Sequence, residues 1–232
     1  MTRYAAMRKR LVDFTALWGL ALAVLVGLQG SHPAAASDGG GAPWLVPVDV
    51  QVTLPQIDWW VHDSEGTANV NAALRAKAAA LIEELAEVGN VWGEHTVQLA
   101  QAGIVSVSFH YSAYREPMAH PAHLMGAVTA DLQTGTVYSL AELFVDDRYV
   151  DLLSQAVAKG IAAQDIPTLI EFEGINPDQE YYLTPDGLVV FFQLYELAPY
   201  AWGFPQFQVP YEELLPIARE GGPILRLAGA GR

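Results

Sequence analysis

The chain has 232 residues, 52% of them hydrophobic, with 26 Asp and Glu against 12 Lys and Arg and a net charge of −14. That length and apolar content suit one ordinary domain with a sizeable core and leave little room for a second. The negative field disfavours nucleic acid and anionic lipid headgroups, favours cationic partners and also serves solubility. The lack of cysteine excludes a disulfide framework and a lipid-modified cysteine.

Arg8, Lys9 and Arg10 precede an apolar run from Phe14 to Leu28, and Ala34, Ala35 and Ala36 supply small residues for cleavage. Residues 1–36 are therefore expected to be a secretory signal peptide. The alternative is an uncleaved membrane anchor, since this apolar run sits at the lower edge of spanning length. Either way the positive end stays inside and the remainder lies outside the cytoplasm. Loss of residues 1–36 removes Arg3, Arg8, Lys9, Arg10 and Asp13, which leaves 8 basic against 25 acidic residues, a net charge of −17. Residues 37–43 read as a Gly-rich linker, 44–215 as the domain and 216–232 as a loose tail rich in Gly, Pro and Ala.

Val46, Val48, Val50 and Val52 alternate with Pro47, Asp49, Gln51 and Thr53, the period of a half-buried strand. From Asn69 the period changes to that of a helix, with Val70, Leu74, Leu81, Leu85 and Val88 on one stripe and Gly89 placed to end it. Val91–Ala100 and Ile104–Tyr114 read as strands joined near Gln101-Ala102-Gly103. In the second of them Val105, Val107, Phe109 and Tyr111 face one way and Ser106, Ser108, His110 and Ser112 the other. After an Arg115-Glu116-Pro117 loop, Leu124–Leu132 returns as a strand, and Gln133-Thr134-Gly135 turns it into a further strand over Thr136–Ser139.

Asp146 or Asp147 can cap a second helix in which Tyr149, Leu153, Val157 and Ile161 recur every four residues. Tyr181 opens a hairpin through Pro185-Asp186-Gly187, and Leu188–Leu194 is apolar on both faces, as a central strand would be. A loop with two prolines, a glycine and large aromatics follows, and then a last strand. Strands grouped around helices without strand-helix-strand alternation give an α+β fold. The expectation is one mostly antiparallel sheet with two packed helices, a single domain built from two sequence blocks, 44–144 and 145–215.

Nothing matches the usual nucleophile or phosphate-binding motifs. His120 and His123 are the closest histidine pair, but Pro117 and Pro121 oppose the helix on which three-residue spacing would make them metal ligands. Neither Glu171 with Glu173 nor Asp146 with Asp147 has a partner that would make a catalytic pair across a glycosidic bond. Glu196 lies inside the aromatic run and must reach solvent or be paired. Tyr200 and Trp202 fall in the Pro/Gly-bracketed loop, where large rings often form a recognition surface for protein or sugar. Trp59 and Trp60, with His62 and Asp63, form a second aromatic pair.

The hairpin YYLTPDGLVVFF, the loop ELAPYAWG and the ending VPYEEL, preceded by SVSFHYSAYREPMAHP and TADLQTGTVYSLAELF, closely resemble a bacterial extracytoplasmic domain of unknown function, the RsiV-like type. In the anti-sigma-V factor this domain is the lysozyme-sensing outer part, and related domains precede the catalytic domain of some peptidoglycan deacetylases. The resemblance spans roughly residues 45–215. It implies an exported, non-catalytic binding or sensing module of the cell envelope, with a cationic, lysozyme-like protein as partner. Glycan or peptidoglycan-fragment binding is the alternative, and a polymer-modifying enzyme the third. Glu196, Tyr200, Trp202 and His120 are the candidate ligand-binding residues, with no catalytic residue, cofactor or metal expected. Membrane contact would run only through the N-terminal segment. With few residues before the apolar run, no sigma-binding domain is expected on its inner side.

Overall fold

The structure is a computed structural model that describes residues 48–57 and 65–230. The expected signal peptide and linker, and Trp59, Trp60, His62 and Asp63, lie outside the described residues. The first block forms β1 (Val50–Val52), α1 (Glu65–Ala86), β2 (Asn90–Gln101), β3 (Ile104–Tyr114) and β4 (Ala122–Asp131). The second forms α2 (Arg148–Ala163), β5 (Tyr181–Thr184), β6 (Gly187–Phe191), β7 (Gln206–Pro210), α3 (Tyr211–Leu214) and α4 (Pro223–Ala230).

The fold is α+β with mostly antiparallel strands, as expected, but the strands divide between two sheets. One has the order β1-β2-β3-β4, with β1 parallel to β2 and the rest antiparallel, and the other is β5-β6-β7, antiparallel throughout. Between β2 and β3 the chain reverses over Ala102 (φ 52°) and Gly103 (φ 74°). Two successive positive φ values match the twist of the flanking strands. α1 begins at Glu65, four residues ahead of the visible stripe. A Cβ on Gly66 would lie 2.8 Å from the backbone of Leu132, Gln133 and Gly135, so only glycine lets the helix start against that turn.

The faces of β3 explain the layering. Val105, Val107, Phe109 and Tyr111 pack with Val70, Leu74, Ala78 and Leu85 of α1. Ser106, Ser108 and Ser112 face the other way and are buried as well, because the second sheet covers them. Ser106 Oγ lies 2.8 Å from Thr129 Oγ1 and accepts the Leu183 N–H at 2.9 Å, so a polar face is buried with its hydrogen bonds made. β6 is central and buried at all five positions. Leu188 and Val190 join Leu183, Phe207 and Val209 against Tyr149, Leu153 and Val157 of α2. Val189 and Phe191, with Tyr182, pack on Met125 and Ala127 of β4.

Several expectations are corrected. Thr136–Ser139 is no strand: it makes a single bridge, Ala130 to Val137, and then enters a one-turn helix at Ala141–Leu143. Within the described part of the expected first strand, which begins at Val48, only Val50–Val52 is strand, and Val50 is exposed. The tail after Pro216, in its described residues up to Ala230, packs on the core instead of being loose. Ile224 and Leu227, three residues apart on α4, are buried in the main core, and Arg226 pairs with Asp131. Asp146 rather than Asp147 serves the start of α2, accepting the Arg148 N–H.

β4 is an edge strand, and its outward backbone groups are met by side chains of the second block. Gln193 donates to Met125 O and accepts Met125 N–H, at 2.6 and 3.1 Å. Glu180 accepts Ala127 N–H and the Lys77 ammonium. The edge is closed to a further strand there.

Candidate functional site

The loop from Gln193 to Pro205 leaves the second sheet and returns to it, with Phe192 N–H donating to Pro205 O at its mouth. Gln193 fixes one end to β4. Leu197 and Ala198 are buried and anchor the middle, and Pro199 starts a one-turn helix over Tyr200–Trp202 that Gly203 ends at φ 76°. Tyr195 is held at φ 62°, a left-handed conformation uncommon for a bulky residue, and its side chain is 47% exposed. Trp202 is 41% exposed. Both rings therefore stand out from a loop whose backbone is tied down.

Tyr200 provides the tie to the first sheet. Its ring stacks on His120 with centroids 4.1 Å apart, and its hydroxyl lies 2.9 Å from His123 Nε2. His123 Nδ1 lies 2.7 Å from Ser112 Oγ, its partner across the β3–β4 register. Next along that face of β3, His110 takes the edge of Phe204 at 5.0 Å and lies 5.8 Å from the His123 ring. Tyr195 completes the group, 5.9 Å from Tyr200. Burial, and then the positive charges that His110 and His120 can carry, push His123 below the ordinary imidazole value. Burial also lowers His110, opposed by the Glu94 carboxylate.

Of the four candidate residues, the structure thus brings His120 and Tyr200 into direct contact and leaves Trp202 exposed on the same loop. Glu196 has a different place: its Oε2 accepts the Gln193 N–H at 2.8 Å, a bond that closes the loop's first turn. His123, which the sequence offered only as half of a weak metal pair, belongs to the cluster, as do His110, Tyr195 and Phe204, which were not among the candidates. A signal was available in His110 and Ser112 alternating on one face of a strand. The Ser112–His123 contact is not arranged for nucleophilic catalysis, since Ser112 is 6% exposed and the second ring nitrogen meets a tyrosine instead of an orienting carboxylate. Among the described residues no group of three or more His, Cys, Asp or Glu converges as a metal site. A separate groove of about 650 Å³, between Ala73–Ala80 of α1 and Tyr138–Glu142, has its Lys77 and Glu180 paired at 2.6 Å.

The left-handed Tyr195 yields a test of whether the loop trades stability for presentation. Tyr195→Gly should raise stability by up to about 1 kcal/mol, because the Cβ that crowds this conformation is gone. Urea unfolding measures it. A loss of more than about 1 kcal/mol would show that the ring contacts outweigh the backbone.

Comparisons with known proteins agree with this architecture. Residues 141–212 match the family described as a protein of unknown function, DUF3298. The anti-sigma-V factor RsiV of Bacillus subtilis is 33% identical over 95 residues, 36% of this chain and 33% of RsiV, so the chain spans about a third of the length of that curated relative. Crystal structures of DUF3298 family proteins from Bacteroides fragilis and Pseudomonas aeruginosa superpose with TM-scores of 0.50 and 0.50 at 18% identity. The first covers 70% of this chain and 69% of the other, the second 64% and 70%. At that identity the likeness is one of fold.

Proposed function

We propose that this chain, which carries an RsiV-like domain of the DUF3298 family, is a binding module of the cell envelope that recognises a cationic, lysozyme-like protein through the loop Gln193–Pro205. The observation that carries the reading is the presentation of Tyr195 and Trp202, 47% and 41% exposed, on a backbone pinned by Gln193, Glu196 and Tyr200. Rigid amphipathic rings give contact area with little entropy to lose, and such rings are frequent binding hot spots. Lysine and arginine side chains also stack on them. The net charge of −14 favours encounter with a basic protein. Among the described residues no helix is long and apolar enough to cross a membrane, so the proposed envelope location depends on the N-terminal segment.

Titration with hen lysozyme at low and at physiological salt tests this. Binding should weaken with salt, and Trp202→Ala should weaken it about tenfold or more, roughly 1.4 kcal/mol. An absence of binding at both salt concentrations removes the proposed partner. The exposed Trp202 ring beside the His120–Tyr200 stack also suits a sugar face, which is the second reading. In that case purified cell wall should retain the protein, and Trp202→Ala should abolish retention.

A further inference from the structure

We propose that His123 is a positioning residue that docks the aromatic loop while uncharged and releases residues 199–204 when it takes up a second proton. Presentation of Trp202 then depends on pH. The consequence for binding rests on the reading above, whereas docking is a property of the free protein.

The geometry supplies the mechanism. In the neutral ring one nitrogen accepts and the other donates. Nε2 lies 2.9 Å from the Tyr200 hydroxyl and Nδ1 2.7 Å from Ser112 Oγ. A phenol O–H is a stronger donor than an aliphatic hydroxyl, which favours the tautomer in which Tyr200 donates to Nε2 and the Nδ1–H donates to Ser112. A charged ring donates from both nitrogens, so the half-buried Tyr200 hydroxyl has to reverse, accepting from Nε2 and giving its proton to water or to Pro121 O, 3.5 Å away and beyond good hydrogen-bond range. The surroundings add to this cost. From β3, Ser112 and His110 face the ring; from its own segment comes His120; from the loop, Tyr200. Tyr195 lies beyond on His120, Phe204 on His110, and Glu94 of β2 is paired with His110 in register. No carboxylate is among the groups that act on His123, and the two charges that do are imidazoles.

The sign follows from where the proton binds first. Docked, His123 lies below the ordinary imidazole value of 6.5; with the loop open, water and distance restore that value. The open form therefore takes the proton first as pH falls. Docking is complete above about pH 6.5 and is lost below it, by up to about tenfold per pH unit for one histidine until the docked form also titrates.

Histidine titration and amide hydrogen exchange by NMR on the full chain, without ligand, test the inference. The expected result is a neutral His123 protonated at Nδ1 at pH 7.5. Exchange protection of residues 199–204, corrected for intrinsic rates, should fall with the His123 titration between pH 6.5 and 5. His123→Gln should make that protection independent of pH. An unchanged protection across the range, or a wild-type pH dependence in His123→Gln, overturns the proposal. If that variant does not fold, Tyr200→Phe keeps the ring on His120 and removes the hydroxyl. It should lower protection at pH 7.5 and flatten the profile, and a wild-type profile again overturns the proposal. A chain that shows the pH dependence and does not bind lysozyme removes the partner proposed above and supports this inference.

Discussion

Replacing Arg226 with methionine is expected to lower stability at pH 7 by about 3 kcal/mol, or roughly 6 to 12 °C in Tm. Asp131 is 2% exposed and ends β4, while Arg226 comes from α4, ninety-five residues later. Methionine keeps much of the aliphatic stem and leaves the carboxylate buried beside it without its cation. Burial alone would raise the Asp131 carboxyl, but the hydrogen bonds from Arg226 and from the Gln133 and Thr134 N–H groups outweigh it and hold the group below its usual 3.8. A carboxyl lowered in the folded state contributes stability above its unfolded value, and that contribution is lost as pH falls through the folded value. In Arg226→Met the carboxyl moves up. The stability gap between the two proteins should therefore close as pH falls towards 4 and below. Thermal melts across pH 3 to 7 measure it, and a gap that stays constant would show that Arg226 acts by packing alone. Pairing Arg226→Met with Asp131→Asn should recover part of the loss.

Phe191→Ala is expected to cost about 3 to 5 kcal/mol, the usual range for a fully buried aromatic. Phe191 has no exposed surface and lies between the two sheets with Tyr182, Val189, Met125 and Ala127. Its backbone also ties β6 to the segment entering β5, donating to Glu180 O and accepting from Gln179 Nε2 at 2.8 Å. Phe191→Leu should cost less, about 1 to 1.5 kcal/mol, because most of the volume remains. Urea unfolding separates the cases, and a cost below about 1 kcal/mol for the alanine variant would mean the two sheets are not held together there.

Strands and helices that bury one clean stripe were legible in the sequence. Val105, Val107, Phe109 and Tyr111 lie on the face that their spacing assigns, and Tyr149, Leu153 and Val157 are the buried stripe of α2. What was hidden depends on pairings far apart in the chain. Ser106 on the far face of β3 looks solvent-facing, and only Thr129 and the Leu183 N–H, twenty-three and seventy-seven residues away, make its burial tolerable. Val137 carries a strand-like pattern, yet with β4 already paired to β3 and its edge largely occupied, the segment gains one bridge only. The tail looked loose by composition, because two apolar residues at helical spacing are a faint signal without the core that receives them. Within the candidate site Tyr200 and Trp202 were visible from their loop. His123 was visible only as a weak metal-ligand candidate, because its place in the cluster exists only once Ser112 is opposite it and Tyr200 arrives from seventy-seven residues further on.

The side chains that close β4 also set a timetable. The sheet of residues 90–131 is fully synthesised before Glu180 and Gln193 exist, a lag of roughly sixty residues and on the order of 3 to 12 s of elongation. During that interval Met125 and Ala127 present unpaired backbone to any neighbouring nascent chain. Crowded synthesis at low temperature, where elongation slows, should therefore be the condition under which this protein is lost to aggregates that pair through β4, an edge that Gln193 and Glu180 cover in the finished molecule.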